Sequence, residues 1–535
     1  MAKRSIMMRV FIPRVRFQGT EISLFMGLDI QTRRRSSDGP TMEHLKKIEW
    51  IAMGYPFNDQ LPLHLDLPWT SLRKLPYSQL RHVHLEVPMT LQDCSFIFEN
   101  AAIAEDILLK KVVLGGEPLN SKPRIPRHSL RSLMIEAEVN ISPLFHLYDT
   151  SQLRCLDLDL CGQEALSSLQ HMVVPWRRLT QVRLCCCLSE GPVGNIVVQL
   201  DSVEKLSLGG YVLDDDTWVA GTACGSLGSL KSFELAPMND AAAAPILSHF
   251  SEHILPTSIE CIDAPFDRHT FKHVFSRPFA SLEIVNFTQP ITPEDFLSFL
   301  ALSCNLVEGS FLVKDFDDSL DPLSSESSPS NISFRDTTCG VTTLSLELDF
   351  QLTSAKPLLD ALTLPQLKSL SFTATNTASP CSGLCNLLKR SRGRITSLLV
   401  DYPKAWDEGV LELLMVTSET LEVFKIEGNV HTSTLGKKLC LGLAHGTVQD
   451  SESPNCLCPR LERVSISPCR DARAFYEMVR SRSEFPSSCS CGLRKLRHVE
   501  AGLQKDQLAL LNDFERDMKE KNISPNIFTI SSGLR

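Results

Sequence analysis

The stretch Leu153-Arg154-Cys155-Leu156-Asp157-Leu158 decides how the rest of the chain is read. Its apolar residues alternate with polar ones at the spacing of a strand, and the phrase returns. Val203-Glu204-Lys205-Leu206-Ser207-Leu208, Leu367-Lys368-Ser369-Leu370-Ser371-Phe372 and Leu421-Glu422-Val423-Phe424-Lys425-Ile426 are the clearest further copies. Copies recur about every 21 to 40 residues between positions 80 and 501. They begin at Leu80, Leu109, Leu130, Leu153, Leu179, Val203, Leu230, Ile259, Leu282, Leu306, Val341, Leu367, Ile395, Leu421, Leu461 and Leu496, about sixteen in all. A steady internal period of this length marks a repeat architecture.

A strand sends successive side chains to opposite faces. The fourth and sixth places of the phrase, Leu156 and Leu158, therefore turn to the core, and Cys155 and Asp157 turn outward. The first leucine packs where the chain enters the strand. Helix-like stretches with a 3.6-residue period lie between phrases, as in Ala165–Gln170, Pro293–Leu300 and Trp406–Leu414. Thr292-Pro293-Glu294-Asp295 reads as a helix start, with Thr at the cap and Pro at the first position. Strand and helix in alternation predict an α/β leucine-rich-repeat solenoid, an irregular horseshoe with a concave parallel sheet and helices on the convex side. Two phrases depart from the pattern: the copy at Ile259 ends in Ala264, and Gly309 takes an apolar place in the copy at Leu306. The ninth place, where such repeats favour Asn or Cys, is Cys161, Cys187, Asn429 and Cys469 in about four repeats.

Composition places the chain among folded proteins. Of 535 residues, 43% are hydrophobic and 22% charged, and the net charge of −9 argues against a general nucleic-acid binder, which needs a basic footprint. The 18 cysteines read as buried, reduced thiols. Met1–Phe11 lacks the apolar core of a secretion signal, and no run reaches the roughly 18 apolar residues of a membrane span. A cytoplasmic location is expected, and Arg33-Arg34-Arg35 leaves a nuclear address open. Residues 1–45 read as a flexible basic arm ending in a turn-rich linker. Residues 46–503 read as the solenoid, interrupted by a disordered insertion at 314–337 that is rich in Asp and Ser. Residues 504–535 read as a helical cap and tail.

Four stretches carry a likeness to a known group. Leu67-Pro68-Trp69-Thr70-Ser71-Leu72 with Gln79–Leu85 is one. The others are Leu358–Leu367, Leu387-Leu388-Lys389-Arg390-Ser391, and Cys458–Val464 continuing to Arg482. Over roughly residues 60 to 520 the chain resembles the long leucine-rich-repeat proteins of mushroom-forming fungi that usually follow an F-box. The resemblance implies the substrate-recognition part of a ubiquitin-ligase receptor, with a cullin-ligase adaptor as a second partner. The F-box itself, a three-helix module, is not visible in residues 1–60, so adaptor binding is carried to no residue here.

No chemistry emerges from the motifs. Cys185-Cys186-Cys187 lies along a strand, where alternate thiols face opposite ways, and Cys456-x-Cys458 and Cys489-x-Cys491 are spaced too tightly for structural zinc. Gly209-Gly210 and Gly225-Ser226-Leu227-Gly228 lack the Lys of a phosphate loop. No catalytic residue, cofactor or metal is expected. The candidate binding residues are the outward strand positions: His82, His84, Glu86, Asp157, Asp159, Gln181, Arg183, Lys205, Glu234, Lys425, Glu427 and Arg463. Together they are expected to meet a target protein on the concave sheet, with no nucleic-acid or membrane partner.

Overall fold

In the computed structural model the described residues are 7–11, 15–17, 20–29, 48–54, 73, 77–115, 129–161, 163–186, 196–197, 199–210, 227, 229–238, 257–261, 281–314, 336–349, 355–375, 380–392, 394–402, 407–428, 435–444, 456–484, 492–503, 514, 516 and 528–532. The chain is an α/β protein built around parallel strands, and it divides into two compact units, Met1–Pro256 and Thr257–Arg535.

In the first unit, β1(Met7–Phe11) and β2(Val15–Phe17) pair antiparallel with β3(Thr20–Asp29), which pairs antiparallel with β4(Ile48–Gly54). From there the ladder is parallel: β5(His82–Met89), β6(Asp106–Val112), β7(Ser132–Ala137), β8(Cys155–Leu160), β9(Gln181–Cys186), β10(Lys205–Gly210) and β11(Ser232–Met238), each bonded to the next. In the second unit the parallel ladder runs through β12(Ser258–Cys261), β13(Ile284–Ile291), β14(Glu308–Lys314), β16(Thr343–Asp349), β18(Ser369–Ala374), β19(Ser397–Asp401), β20(Val423–Glu427), β21(Arg463–Cys469), β22(His498–Leu503) and β23(Phe528–Ser532). The short strands β15(Thr337–Thr338) and β17(Leu362–Thr363) pair separately.

Burial follows the phrase. In β7 and β8 third, fifth and seventh places are half-exposed while fourth and sixth are buried; in β10 and β21 the fifth-place Ser207 and Ser465 are buried as well. First-place residues are buried too, including Leu153, Leu179, Val203, Leu367 and Leu421 at 0% exposure. Each such side chain contributes about 1.5–3 kcal/mol by leaving water. A second regularity sits at the phrase's second place. There the backbone N–H donates to the carbonyl of the same place one repeat earlier: Glu105 to Arg81 at 2.8 Å, Arg131 to Glu105 at 2.8 Å, Arg154 to Arg131 at 2.7 Å and Thr180 to Arg154 at 2.8 Å. The second unit repeats it, with Lys368 to Thr342, Thr396 to Lys368, Glu422 to Thr396 and Glu462 to Glu422.

Helices fill the return path. Helix α1(Leu91–Asn100) starts in a capping box: Asp93 N–H donates to Thr90 Oγ1, and Thr90 N–H donates to Asp93 Oδ2. Helices α2(Ser142–Leu147) and α3(Gln163–His171) follow, and α4(Pro293–Leu302) opens the second unit's set. Thr292 caps α4 as expected, its Oγ1 accepting from Asp295 N–H at 3.2 Å. Then come α5(Lys356–Ala361), α6(Cys381–Ser391), α7(Asp407–Thr417), α8(Lys437–Leu443) and α9(Ala472–Ser483), with neighbours packed in sequence. Buried hydroxyls tie one repeat to the next: Ser168 Oγ accepts from Ile141 N–H, and Ser391 Oγ from Leu364 N–H.

Several details differ from the sequence reading. The strand expected from Leu109 begins its phrase at Ala104, because Asp106 pairs with His82 and Ile107 with Val83. The run Ile107-Leu108-Leu109 hides the alternation that would set the register. Likewise Ile259 fills the fourth place, not the first, since it pairs with Val285. Stretches of residues 1–45, read as a flexible basic arm, form strands β1 to β3; the alternating Ile22, Leu24, Met26 and Leu28 carry a strand pattern that the arginines outweighed. Past residue 503, Phe514 and Arg516 are helical, and β23 extends the ladder. Residues 315–335, and with them most of the expected insertion, lie outside the described residues, as do Cys187 and Asn429. Gly309 has a packing reason: a Cβ there would stand 2.5 Å from the Phe311 ring, which packs with the buried Phe287, Phe296 and Phe299.

Two residues make the fold testable. Gly210 has φ +125°, and an added Cβ would stand 1.7 Å from the Cys186 carbonyl oxygen. Gly210→Ala is expected to cost more than about 2 kcal/mol, read as a lower urea midpoint by circular dichroism. Arg482, 1% exposed, donates its guanidinium to the carbonyls of Leu443, Leu457 and Cys458 and so holds α9 to two preceding segments. Arg482→Met leaves those carbonyls unpaired and is expected to cost about 3 kcal/mol.

Candidate functional site

Strand register gathers the outward residues into rows. In the first unit, β5 carries His82, His84 and Glu86 on one face, and β6 answers with Asp106 and Lys110. Asp106 Oδ2 lies 2.7 Å from His84 Nε2 and 3.8 Å from His82 Nδ1, and Glu86 pairs with Lys110 Nζ at 2.6 Å. Burial pushes the Asp106 carboxyl up, but hydrogen bonds from His84 and Ser132 and the charges of both histidines outweigh it, so its pKa falls below the ordinary value. The two histidines are thus joined through a carboxylate that the sequence reading did not select. Asp106 was missed because the register slip at Leu109 placed it before the strand.

The centre of this face, on β7 to β9, is acidic. Asp159 stands in register with Glu136, and Asp157 with Arg183. Arg183 Nη1 reaches Asp157 Oδ2 at 3.5 Å, and Asp157 Oδ1 is shielded from water with no hydrogen-bond partner. Burial raises the Asp157 pKa, and Arg183 only partly offsets it. Burial also raises Glu136; Asp159 adds to the rise, and Lys110 and Lys111 pull it back. Like charges directly across a sheet repel. Three thiols border the acids. Cys161 Sγ donates to Asp159 Oδ1 at 3.6 Å, and burial followed by Asp159 pushes its pKa up to about 11. Burial raises Cys155 and Cys185 too. These thiols stay protonated at neutral pH, which disfavours them as nucleophiles. The Cys161 N–H bonds backward to the Ala137 carbonyl at 2.9 Å. Lys205 is exposed on β10, and Ser207 beside it is in register with Arg183 on one side and half-buried Glu234 on the other.

In the second unit, Lys425 Nζ meets Glu427 Oε1 at 2.7 Å on one strand, and Glu427 stands in register with Asp401. The hydrogen bond to Glu427 raises the Lys425 pKa, and burial followed by Glu427 raises Asp401. Arg463 is exposed in register between Val423 and His498. Toward β16 two short rows of the same face are uncharged, Ser345 with Ser371 and Thr343 with Ser369 and Ser397, while exposed Glu347 stands in register with Thr373 and Asp349 pairs with Lys314 Nζ at 3.2 Å. The geometry therefore offers fixed charges and hydroxyls on strand faces. Among the described residues no three of His, Cys, Asp and Glu gather to hold a metal ion, and no helix is long and apolar enough to cross a membrane.

The second place of the phrase also carries charge in order. Arg81 pairs with Glu105 at 3.1 Å, Lys231 with Glu204 at 3.0 Å, and Arg497 with Glu462 at 3.2 Å. Alternation alone assigns that place to neither face, so the sequence reading passed over it, although its charged residues recur in step with the leucines. Compared with known proteins, the chain matches no protein-family model, and no curated protein matches it.

The acidic centre has a pH signature. Because the Glu136 pKa is raised on folding, the folded chain holds that proton more tightly than the unfolded chain does. Ionised Glu136 thus lowers stability above its folded pKa, and the loss is relieved as pH falls through it. Glu136→Gln is expected to raise the urea midpoint at pH 7, and the gain is expected to vanish as pH falls below the ordinary glutamate pKa of about 4.3, where the carboxyl becomes neutral in both states. A gain that persists undiminished in acid would contradict this.

Proposed function

We propose that the chain is a non-enzymatic leucine-rich-repeat solenoid that binds another protein across its strand faces. The observation that carries this reading is the register of outward polar residues over successive parallel strands, from His82 on β5 to Glu234 on β11 and again from Ser345 on β16 to Arg463 on β21. A surface of fixed strand positions loses little entropy on binding, and successive repeats supply the area a stable interface needs. The resemblance to F-box-associated repeat proteins supports a more definite form, in which the solenoid holds a target for a cullin-type ubiquitin ligase. Its role would be positional, with the chemistry done elsewhere in the ligase.

A second reading, an interaction scaffold with no ligase link, draws on β1 to β4. Within residues 1–60 the described residues are strands, whereas an F-box is three helices.

Cross-linking and affinity capture of the tagged chain from cells that express it separate the two. Under the first reading, mass spectrometry finds a cullin adaptor in stoichiometric amount beside a target. Under the second, the target is recovered without the adaptor. In either case, charge reversal at Glu136 and Asp159, or at Lys425, is expected to lower target recovery at least about 5-fold, as loss of interface anchors does. Recovery that no face substitution changes would overturn the binding reading.

A further inference from the structure

The second place of the phrase forms a charged edge where the strands of the first compact unit begin. At both ends of this edge the charges are matched, Arg81 with Glu105 and Lys231 with Glu204. Between them they are not. Arg131 and Arg154 hold this place in successive repeats, and Arg178 stands two residues before the second-place Thr180; all three are exposed, and among the described residues none of the three guanidinium groups has a carboxylate within salt-bridge distance. They are also contiguous. Arg154 N–H donates to the Arg131 carbonyl at 2.7 Å, which sets the two one strand spacing apart. Arg154 Nη1 donates to the Arg178 carbonyl at 3.0 Å, and Arg178 Nη1 to the Ser151 carbonyl at 3.4 Å. Arg177 adjoins them in the short turn Trp176–Arg178 and touches Asp201 only at 3.6 Å, with 78% of its side chain exposed.

Neighbouring like charges repel, so this stretch costs free energy in the isolated chain. It stands out further in a protein of net charge −9. Arg131 and Arg154 hold two successive steps of the edge, the uncharged Thr180 holds the next, and Arg178 reaches in from the turn just before it. Guanidinium groups take carboxylates in two-pronged hydrogen bonds, and a run of them reads a run of acids.

We propose that the Arg131, Arg154 and Arg178 edge docks an aspartate- and glutamate-rich segment of a partner polypeptide. This rests on the protein-binding reading above and names the chemistry of one contact within it. The acidic segment crosses the starts of β7 and β8 and the turn before β9, and its carboxylates meet the guanidinium groups of Arg131, Arg154 and Arg178. The edge lies apart from the outward rows of the face, so a partner can occupy both. Attraction between the basic edge and an acidic segment also speeds encounter, and salt weakens it.

The test uses the full chain and a fluorescent twelve-residue peptide of alternating Glu and Gly, followed by anisotropy at two salt concentrations. Binding is expected, with an affinity that falls as salt rises. The triple variant Arg131→Gln/Arg154→Gln/Arg178→Gln is expected to weaken it about 10-fold, the sum of three modest exposed ion pairs. A charge-matched variant in the other compact unit, Arg460→Gln/Arg473→Gln/Arg480→Gln, is expected to change it less than about 2-fold. Circular dichroism confirms that both variants are folded, and the single variant Arg154→Lys, which keeps the charge but loses the fork, is expected to lie between wild type and the triple variant. Three results would overturn the proposal: no binding of the peptide, equal loss in the two triple variants, or displacement of the peptide by a single-stranded RNA of equal charge at lower concentration. The protein-binding reading fails separately, through captured targets that no face variant releases.

Discussion

The fold depends on a backbone requirement. A parallel strand cannot satisfy its own amides, and each must find a partner on the strand before or after it. The second-place hydrogen bonds, such as Arg154 N–H to Arg131 O and Glu422 N–H to Thr396 O, begin that pairing one step before each strand starts. They align every repeat with its predecessor before a side chain is considered. The alternation of buried and outward residues then has a fixed frame. A slip of one residue would turn Leu156 and Leu158 out and Asp157 in, and the cost of burying that carboxylate excludes it.

Given the frame, packing explains both the regular repeats and the irregular ones. First-place residues fill the space between strand and return path with little variation. Where the fourth place is Gly309, the Phe311 ring takes the vacant volume, so a departure from the phrase is absorbed by a neighbour two residues away. Where a helix ends near a strand exit, a serine hydroxyl or the Arg482 guanidinium supplies the bonds that turns lack. Core and polar contacts therefore repeat at the same interval as the strands.

Much of this was legible in the phrase itself. Strands stand at the positions that Leu130, Leu153, Val203, Leu367 and Leu421 announced, and Thr292 caps the helix its neighbours predicted. Register failed at Leu109, where Ile107, Leu108 and Leu109 adjoin and alternation carries no information, and at Ile259, where the phrase's first place falls on Pro256 rather than on an aliphatic residue. The slip at Leu109 removed Asp106 from view, and with it the link between His82 and His84. Strands β1 to β4 and β23 lack the full phrase, and although β3 alternates, their place in the ladder is declared by their pairing with neighbours. The arginine edge was invisible for another reason. Its residues are unremarkable singly, and they become a surface only when the ladder stacks positions 131 and 154, 23 residues apart in sequence, and Arg154 reaches across to the Arg178 carbonyl.

The second-place hydrogen bonds share one direction. From Arg81 to Lys231, each N–H points to the earlier repeat and each carbonyl to the later one. Peptide units aligned head to tail add their dipoles, as they do along a helix, and bonds in such a file polarise one another. The edge thus acts as an electrical axis lying across the strands, with its positive end at the first repeat. An anion approaching the arginines meets a field set by the backbone as well as by side chains. Substitution can remove the side-chain part, but the axis persists for as long as the strands remain paired.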